Sequence, residues 1–169
     1  MSNTFKTIST CCDDKNSKEE HYLCCVDEVG DSVKRIVRNF QLFERDQVKT
    51  LGFTMSQCYT LIEMLENEAM TMHELSEKMN LNSSTMTRVV DKLVRDKYVE
   101  RTRSPEDRRI VLVSLTQEKG REAAQMCSEK IGAYYENITR NLPKDRIEEV
   151  LESVSLLMDA FEKANPNCC

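Results

Sequence analysis

Three groups of side chains in this 169-residue chain could do chemistry, and each asks for a different partner. The first is a run of cations. Between Ser83 and Arg109, eight lysines and arginines (Arg88, Lys92, Arg95, Lys97, Arg101, Arg103, Arg108, Arg109) stand against five acids. That segment is positive although the whole chain carries −5, so the basic surface is local. Clustered guanidinium groups suit a polyanion, because arginine's planar fork can bond two acceptor oxygens at once. The second group is four small hydroxyls, Ser83, Ser84, Thr85 and Thr87, just ahead of the first arginine. The third is eight cysteines, six of them in the adjacent pairs Cys11-Cys12, Cys24-Cys25 and Cys168-Cys169 near the chain ends. No constellation of nucleophile, base and acid competes with these groups, and the chain is expected not to be an enzyme.

The elements that must position the cations can be read from capping and periodicity. Asn82 is a good N-cap for a helix whose apolar face is Met86, Val89, Val90, Leu93 and Val94. With those residues buried, the exposed face carries Ser83, Ser84, Thr87, Arg88, Asp91 and Arg95. Tyr98–Arg103 and Arg109–Leu115 read as strands, the second with Val111, Val113 and Leu115 alternating. Ser104-Pro105-Glu106-Asp107 is the turn between them. Upstream, Thr54/Gln57 and Thr71/Glu74 are capping boxes that start two further helices. A long helix from about His21 to Lys49 carries a stripe through Val26, Val29, Val33, Ile36, Val37, Phe40 and Phe43. Thr116 is expected to cap a fifth helix ending near Asn141, and Pro143 to open a sixth, striped by Ile147, Val150, Leu151, Val154, Leu157, Met158 and Phe161.

Two short helices, a basic hairpin and the start of a long helix describe a module that reads duplex DNA. Ser83, Ser84 and Thr85, at a helix N-terminus, can sit close to phosphates or base edges, helped by the helix dipole. Arg88, one turn in, has the reach for guanine in the major groove. Lys92 and Arg95 suit phosphates, which contributes affinity without sequence information. The alternative for this helix is an ordinary solvated face. The hairpin weighs against it, since Arg108 and Arg109 at a charged tip cannot serve a core and suit the negative potential of a minor groove. Asp107 beside them can orient an arginine by a charge-assisted hydrogen bond.

The run LNSSTMTRVVDKLVRDKYVERTRSPEDRRIVLVSLTQEKG resembles the winged helix-turn-helix of the multiple-antibiotic-resistance regulator (MarR) family. The matching residues are Ser84-Thr85, Thr87 to Leu93, Asp107-Arg108-Arg109, and Leu115-Thr116 followed by Gly120. The upstream FTMSQCYTLIEMLEN and the long terminal helices fit the same architecture, so the resemblance covers about residues 25–163. It implies a mainly α (α+β) fold, a winged helix-turn-helix with long N- and C-terminal dimerisation helices. It also implies a homodimer on a pseudo-palindromic operator, a recognition helix from about Asn82 to Lys97, and a wing with Arg109 in the minor groove held by Asp107. Regulators of this family are most often repressors. Their small-molecule pocket lies between the terminal-helix region and the reading module, where Met55 and Tyr59 could line it. Lys97-Tyr98 departs from the pattern, because many relatives place a glycine before the strand.

Adjacent cysteines make poor disulfide partners for each other but good soft ligands when a third thiolate arrives. Cys11, Cys12, Cys24, Cys25, Cys168 and Cys169 could therefore form a thiolate site for arsenite, cadmium or zinc, with His21 a further candidate. A thiol switch, or no role at all, are the alternatives. No cofactor is required. Cys58 and Cys127 fall in helical stretches and read as buried small hydrophobes.

The expected organisation is a flexible arm (1–20), a helical dimerisation region (21–50 and 120–165), a winged helix-turn-helix (51–119) and a cysteine-bearing tail (166–169). Residues 1–25 lack the apolar run of a signal peptide, and no stretch approaches the roughly 20 apolar residues of a membrane span. The chain is expected to be cytoplasmic. The expected partners are double-stranded DNA, a second copy of the chain and a small-molecule or metalloid inducer. A metal-buffering protein and a winged-helix adaptor for other proteins are the readings from other classes.

Overall fold

The computed structural model describes residues 18–164, with side chains from Cys25 onward. Residues 1–45 and 46–169 form two units. The first unit contains helix α1 (Lys18–Phe43). Its stripe is too extensive for one subunit to cover: Val26, Val29, Ile36, Val37 and Phe40 are exposed on the single chain and only Phe43 is buried. An amphipathic helix of this length has an apolar face that one chain leaves uncovered. The helix also stops earlier than the expected Lys49. The backbone widens into a π turn (Glu44–Val48) and tightens into a 3-10 turn (Lys49–Leu51), and Val48 is fully buried.

In the second unit, α2 (Met55–Glu66) and α3 (Met72–Lys78) both start at the predicted capping boxes. Thr54 Oγ1 accepts from the Gln57 amide while Gln57 Oε1 accepts from Thr54, and Thr71 and Glu74 repeat the exchange. Between these helices lies a strand absent from the sequence reading, β1 (Met70–Thr71). Helix α4 spans Ser83–Arg95, β2 Val99–Arg103 and β3 Val111–Leu115. The three strands form one antiparallel sheet in the order β1-β3-β2, with Val99 opposite Leu115 and Arg103 opposite Val111. Only two of the three alternating β3 residues are buried. Val113 and Leu115 lie over the core, whereas Val111 is exposed because the hairpin has by then run beyond it.

Helix α5 (Lys119–Arg140) begins three residues after Thr116. The Thr116 hydroxyl still captures an N-terminal amide, accepting from Gly120 at 2.8 Å. It also donates to the Lys97 carbonyl at 3.0 Å, just past the end of α4, while Glu118 holds the N-cap position of α5 without a side-chain cap bond. Helix α6 (Ile147–Ala164) follows a 3-10 turn (Lys144–Arg146) that Pro143 leads. None of its residues is buried, and Leu151, Val154, Leu156, Met158 and Phe161 are exposed. The core of this unit joins α2 and α5 to α4 and the sheet through Leu61, Leu75, Met86, Val90, Leu93, Val113 and Ala124, each fully buried or within 1 % of it.

Candidate nucleic-acid interface

Asn82 sets the start of α4. Its side chain accepts from the Thr85 amide and from the Ser84 hydroxyl, both at 2.8 Å. This satisfies two donors and presents the first turn of the helix outward. Met86, Val90 and Leu93 are buried, with Val89 and Val94 half-buried, so the helix is held by one narrow face. The opposite face exposes Ser83, Ser84, Thr87, Arg88, Asp91, Lys92 and Arg95, while Thr85 is half-buried. Two hydroxyls of this face already have acceptors, Ser84 in Asn82 and Thr87 in the Ser83 carbonyl at 2.7 Å. Arg88 and Lys92 are the long cations of the face, and Arg95 Nε lies 3.5 Å from Asp96 at the helix end.

The exit from α4 explains the sequence departure at Lys97. The Tyr98 amide donates to Leu93 and the Lys97 amide to Val94, the two bonds of a Schellman motif. Its C′ residue must be left-handed, and Lys97 has φ +63°. A glycine here would supply this conformation without steric cost. The same motif ends α3, where Asn80 takes φ +47° and turns the chain toward α4. Tyr98 then packs edge-on against Phe53, ring centroids 4.9 Å apart, and the Lys119 ammonium lies over the Tyr98 ring, 4.1 Å from its centroid. Lys119 also donates to the Asp96 carbonyl at 2.7 Å. Gly120 is buried beneath the Tyr98 carbonyl, in a space that a Cβ would overfill. These contacts fix the base of the hairpin relative to α4; Tyr98 and Gly120 were singled out from the sequence, but not the packing that joins them.

At the hairpin tip, Ser104 is the one buried residue of the turn, and its hydroxyl accepts from the Glu106 amide at 3.2 Å. Asp107 acts on Arg109 through the backbone: its carboxylate accepts from the Arg109 amide at 2.9 Å. The sequence reading had the carboxylate orienting a guanidinium; the observed bond instead shapes the turn from which Arg108 and Arg109 project, both exposed. One pairing went unread in the sequence altogether. Arg101 on β2 donates to Asp91 on α4 at 2.6 Å, joining the hairpin to the exposed face of the reading helix.

The MarR family model matches residues 53–111, from the start of α2 through the hairpin. Those residues are a MarR-family domain. The MarR match is supported by the HTH-type transcriptional regulator SarZ of Staphylococcus epidermidis, 28 % identical over 147 residues and spanning 86 % of this chain and 95 % of SarZ. The fold is that of FabT from Streptococcus pneumoniae in complex with DNA (TM-score 0.70, 22 % identity, 82 % of this chain and 99 % of that one). It is also that of a mutant MarR from E. coli complexed with operator DNA (TM-score 0.67, 23 % identity, 78 % and 94 % covered). With this domain the chain is a winged-helix transcriptional regulator, as its relatives are named.

The remaining predicted residues fall elsewhere. Met55 and Tyr59 are half-buried on α2, where the Tyr59 hydroxyl meets that of Tyr135 on α5 at 2.5 Å. Burial, and then the bond to Tyr135, push the Tyr59 phenol far above its ordinary value, so it stays neutral. Cys25 is half-buried on α1. Cys11, Cys12, Cys168, Cys169 and the side chain of Cys24 lie outside the described residues. Among the described residues, no three His, Cys, Asp or Glu side chains converge as a metal site would require. No helix among them is long and apolar enough to cross a membrane.

Proposed function

We propose that this regulator binds a pseudo-palindromic operator as a homodimer and acts as a repressor. Each protomer places α4 in a major groove and the β2–β3 hairpin in the adjacent minor groove. The observation that carries this reading is the Arg101–Asp91 bond, which holds the two basic elements as one body. Ser83, Ser84, Thr85 and Thr87 approach the DNA at the positive end of the helix dipole. Arg88 reads a base edge, Lys92 and Arg95 hold phosphates, and Arg108 and Arg109 reach from the tip that Asp107 shapes. The FabT and E. coli MarR structures hold DNA on the same fold.

Residues 51–119 form the reading domain, and 21–50 with 120–165 the dimerisation region. The support for dimerisation is the apolar face that each long helix leaves in solvent, Val29 and Ile36 on α1, and Leu151 and Val154 on α6. A face of that kind is the usual mark of an interface. The inducer occupies a pocket bordered by Met55 and Tyr59, or engages the cysteine pairs.

The test is fluorescence anisotropy with the chain's own upstream DNA across a salt series, alongside sedimentation of the free protein. A dimer whose affinity falls steeply with salt supports the reading, since several phosphate contacts release counterions. Salt-independent binding to protein partners in place of DNA would favour an adaptor and overturn it. Val154→Glu, on the exposed α6 face, should shift the protein toward monomer and weaken full-operator binding.

A further inference from the structure

Cys58 and Cys127 take no part in the interface described above. They come from α2 and α5, are 69 positions apart, and both are fully buried. Their sulfurs lie 2.7 Å apart. A disulfide is about 2.04 Å long, so closing the pair to bonding distance needs a movement of only about 0.7 Å. The same two helices are joined a second time next door, where Tyr59 meets Tyr135. Ala123 and Ala124, buried one turn before Cys127, leave room for the two backbones to approach.

We propose that Cys58 and Cys127 are a dithiol–disulfide pair within one protomer, which hydrogen peroxide oxidises to a bond stapling α2 to α5 in the arrangement the reduced protein already has. Cys127 is the attacking sulfur. The hydrogen bond with Cys58 holds its thiol below the ordinary value, outweighing the burial that pushes it up, and the thiolate is the nucleophilic form. That thiolate attacks one peroxide oxygen, the O–O bond breaks, hydroxide leaves, and a sulfenic acid forms on Cys127. The Cys58 thiol attacks the oxidised sulfur and loses its proton, the S–O bond breaks, and water departs. Two thiols and one peroxide give one disulfide and two waters, two electrons passing from sulfur to oxygen. Burial makes the first step depend on local opening of the helix pair, which slows it.

The consequence follows from proximity. Protein interiors resist displacement, and here almost none is required. Oxidation therefore keeps the α4–hairpin face in its DNA-reading form and opposes any signal that would slide α2 along α5. The DNA half of this statement rests on the function proposed above, whereas bond formation does not.

The experiment uses the full chain with Cys11, Cys12, Cys24, Cys25, Cys168 and Cys169 changed to Ser, and the wild-type chain in parallel. After peroxide treatment, the expected results are loss of two hydrogens by intact mass and a peptide linking Cys58 to Cys127 within one protomer. The apparent Tm should rise by several degrees on oxidation, and operator affinity should stay within about twofold. Adding Cys58→Ser and Cys127→Ser should abolish the mass change and the Tm rise. Two thiols that resist peroxide and alkylate only after denaturation would overturn the proposal, as would a link between protomers. A disulfide that lowers operator affinity about tenfold would overturn the stapling role. If even the reduced protein fails to bind DNA, the proposed function fails, while the mass and thermal results still judge the bond.

Discussion

Asp91 Oδ1 lies 2.6 Å from the Arg101 guanidinium, so the reading helix and the first wing strand are held by a bond between their side chains. Both partners remain substantially exposed, at 54 % and 36 % of their side-chain surface. An ion pair in such a setting contributes about 0–1 kcal/mol to folding. Its value lies in geometry, because the proposed function needs the two elements to enter neighbouring grooves at a set spacing. Arg101→Ala and Asp91→Ala should each leave the urea midpoint nearly unchanged. In a double-mutant cycle read by operator anisotropy, the pair should couple by about 0.5–1 kcal/mol. Strict additivity would show that the bond does not position the wing.

Arg109 projects from the tip that Asp107 shapes. Arg109→Ala should weaken operator binding by about 1–3 kcal/mol at matched salt. Asp107→Ala should weaken it less, since it loosens the turn but keeps the cation. Unchanged affinity in the Arg109 variant would remove the hairpin from the interface.

Lys97 bears a side chain at φ +63°. A left-handed residue costs about 1–2 kcal/mol, and glycine's extra freedom in the unfolded chain returns part of that gain. Lys97→Gly should raise stability by about 0.5–1 kcal/mol in urea unfolding.

Gly120 gives the opposite result. A Cβ there would overlap the Tyr98 carbonyl oxygen, which belongs to backbone already pinned by Thr116. Gly120→Ala should cost about 1–3 kcal/mol, the usual range for overpacking. A neutral effect would mean that the start of α5 shifts freely.

Acid should act on α3 before α2. The Thr71 backbone amide, followed by its hydroxyl, holds the Glu74 carboxyl below its ordinary value. A lowered carboxylate contributes stability that is present above its unfolded value and is lost as pH falls through the folded one. The matching box on α2 uses Gln57, which does not titrate in this range. Glu74→Gln should therefore keep the capping geometry and flatten the acid side of the Tm–pH curve. The two proteins should differ most at neutral pH and converge as pH falls through the lowered Glu74 value. Parallel curves over that range would count against the carboxylate as the sensitive group.

Local chemistry made much of this protein legible from its sequence. Capping is decided within four residues, so Thr54/Gln57, Thr71/Glu74 and Asn82 could be located without knowing the fold. The buried face of α4 follows from helical spacing alone, and with it the identity of the exposed hydroxyls and cations. Where contributions come from farther along the chain, the sequence was silent or misleading. Strand β1 is two residues long and exists because β3 pairs with it. Val111 alternates correctly with Val113 and Leu115, yet stays exposed because the core ends beneath it. The departure at Lys97 was visible as a missing glycine, but its left-handed backbone is set by the Schellman bonds.

What the sequence determined by itself was the set of long helices, the caps of α2, α3 and α4, the basic hairpin and the family domain these match, since each depends on neighbours along the chain. Only the tertiary structure decided which distant residues meet: Asp91 with Arg101, Tyr59 with Tyr135, and Cys58 with Cys127. A periodic stripe says that a face will be buried and not what it will face. The partner is chosen when whole helices pack, and that choice sums many weak contacts that no short stretch of sequence contains.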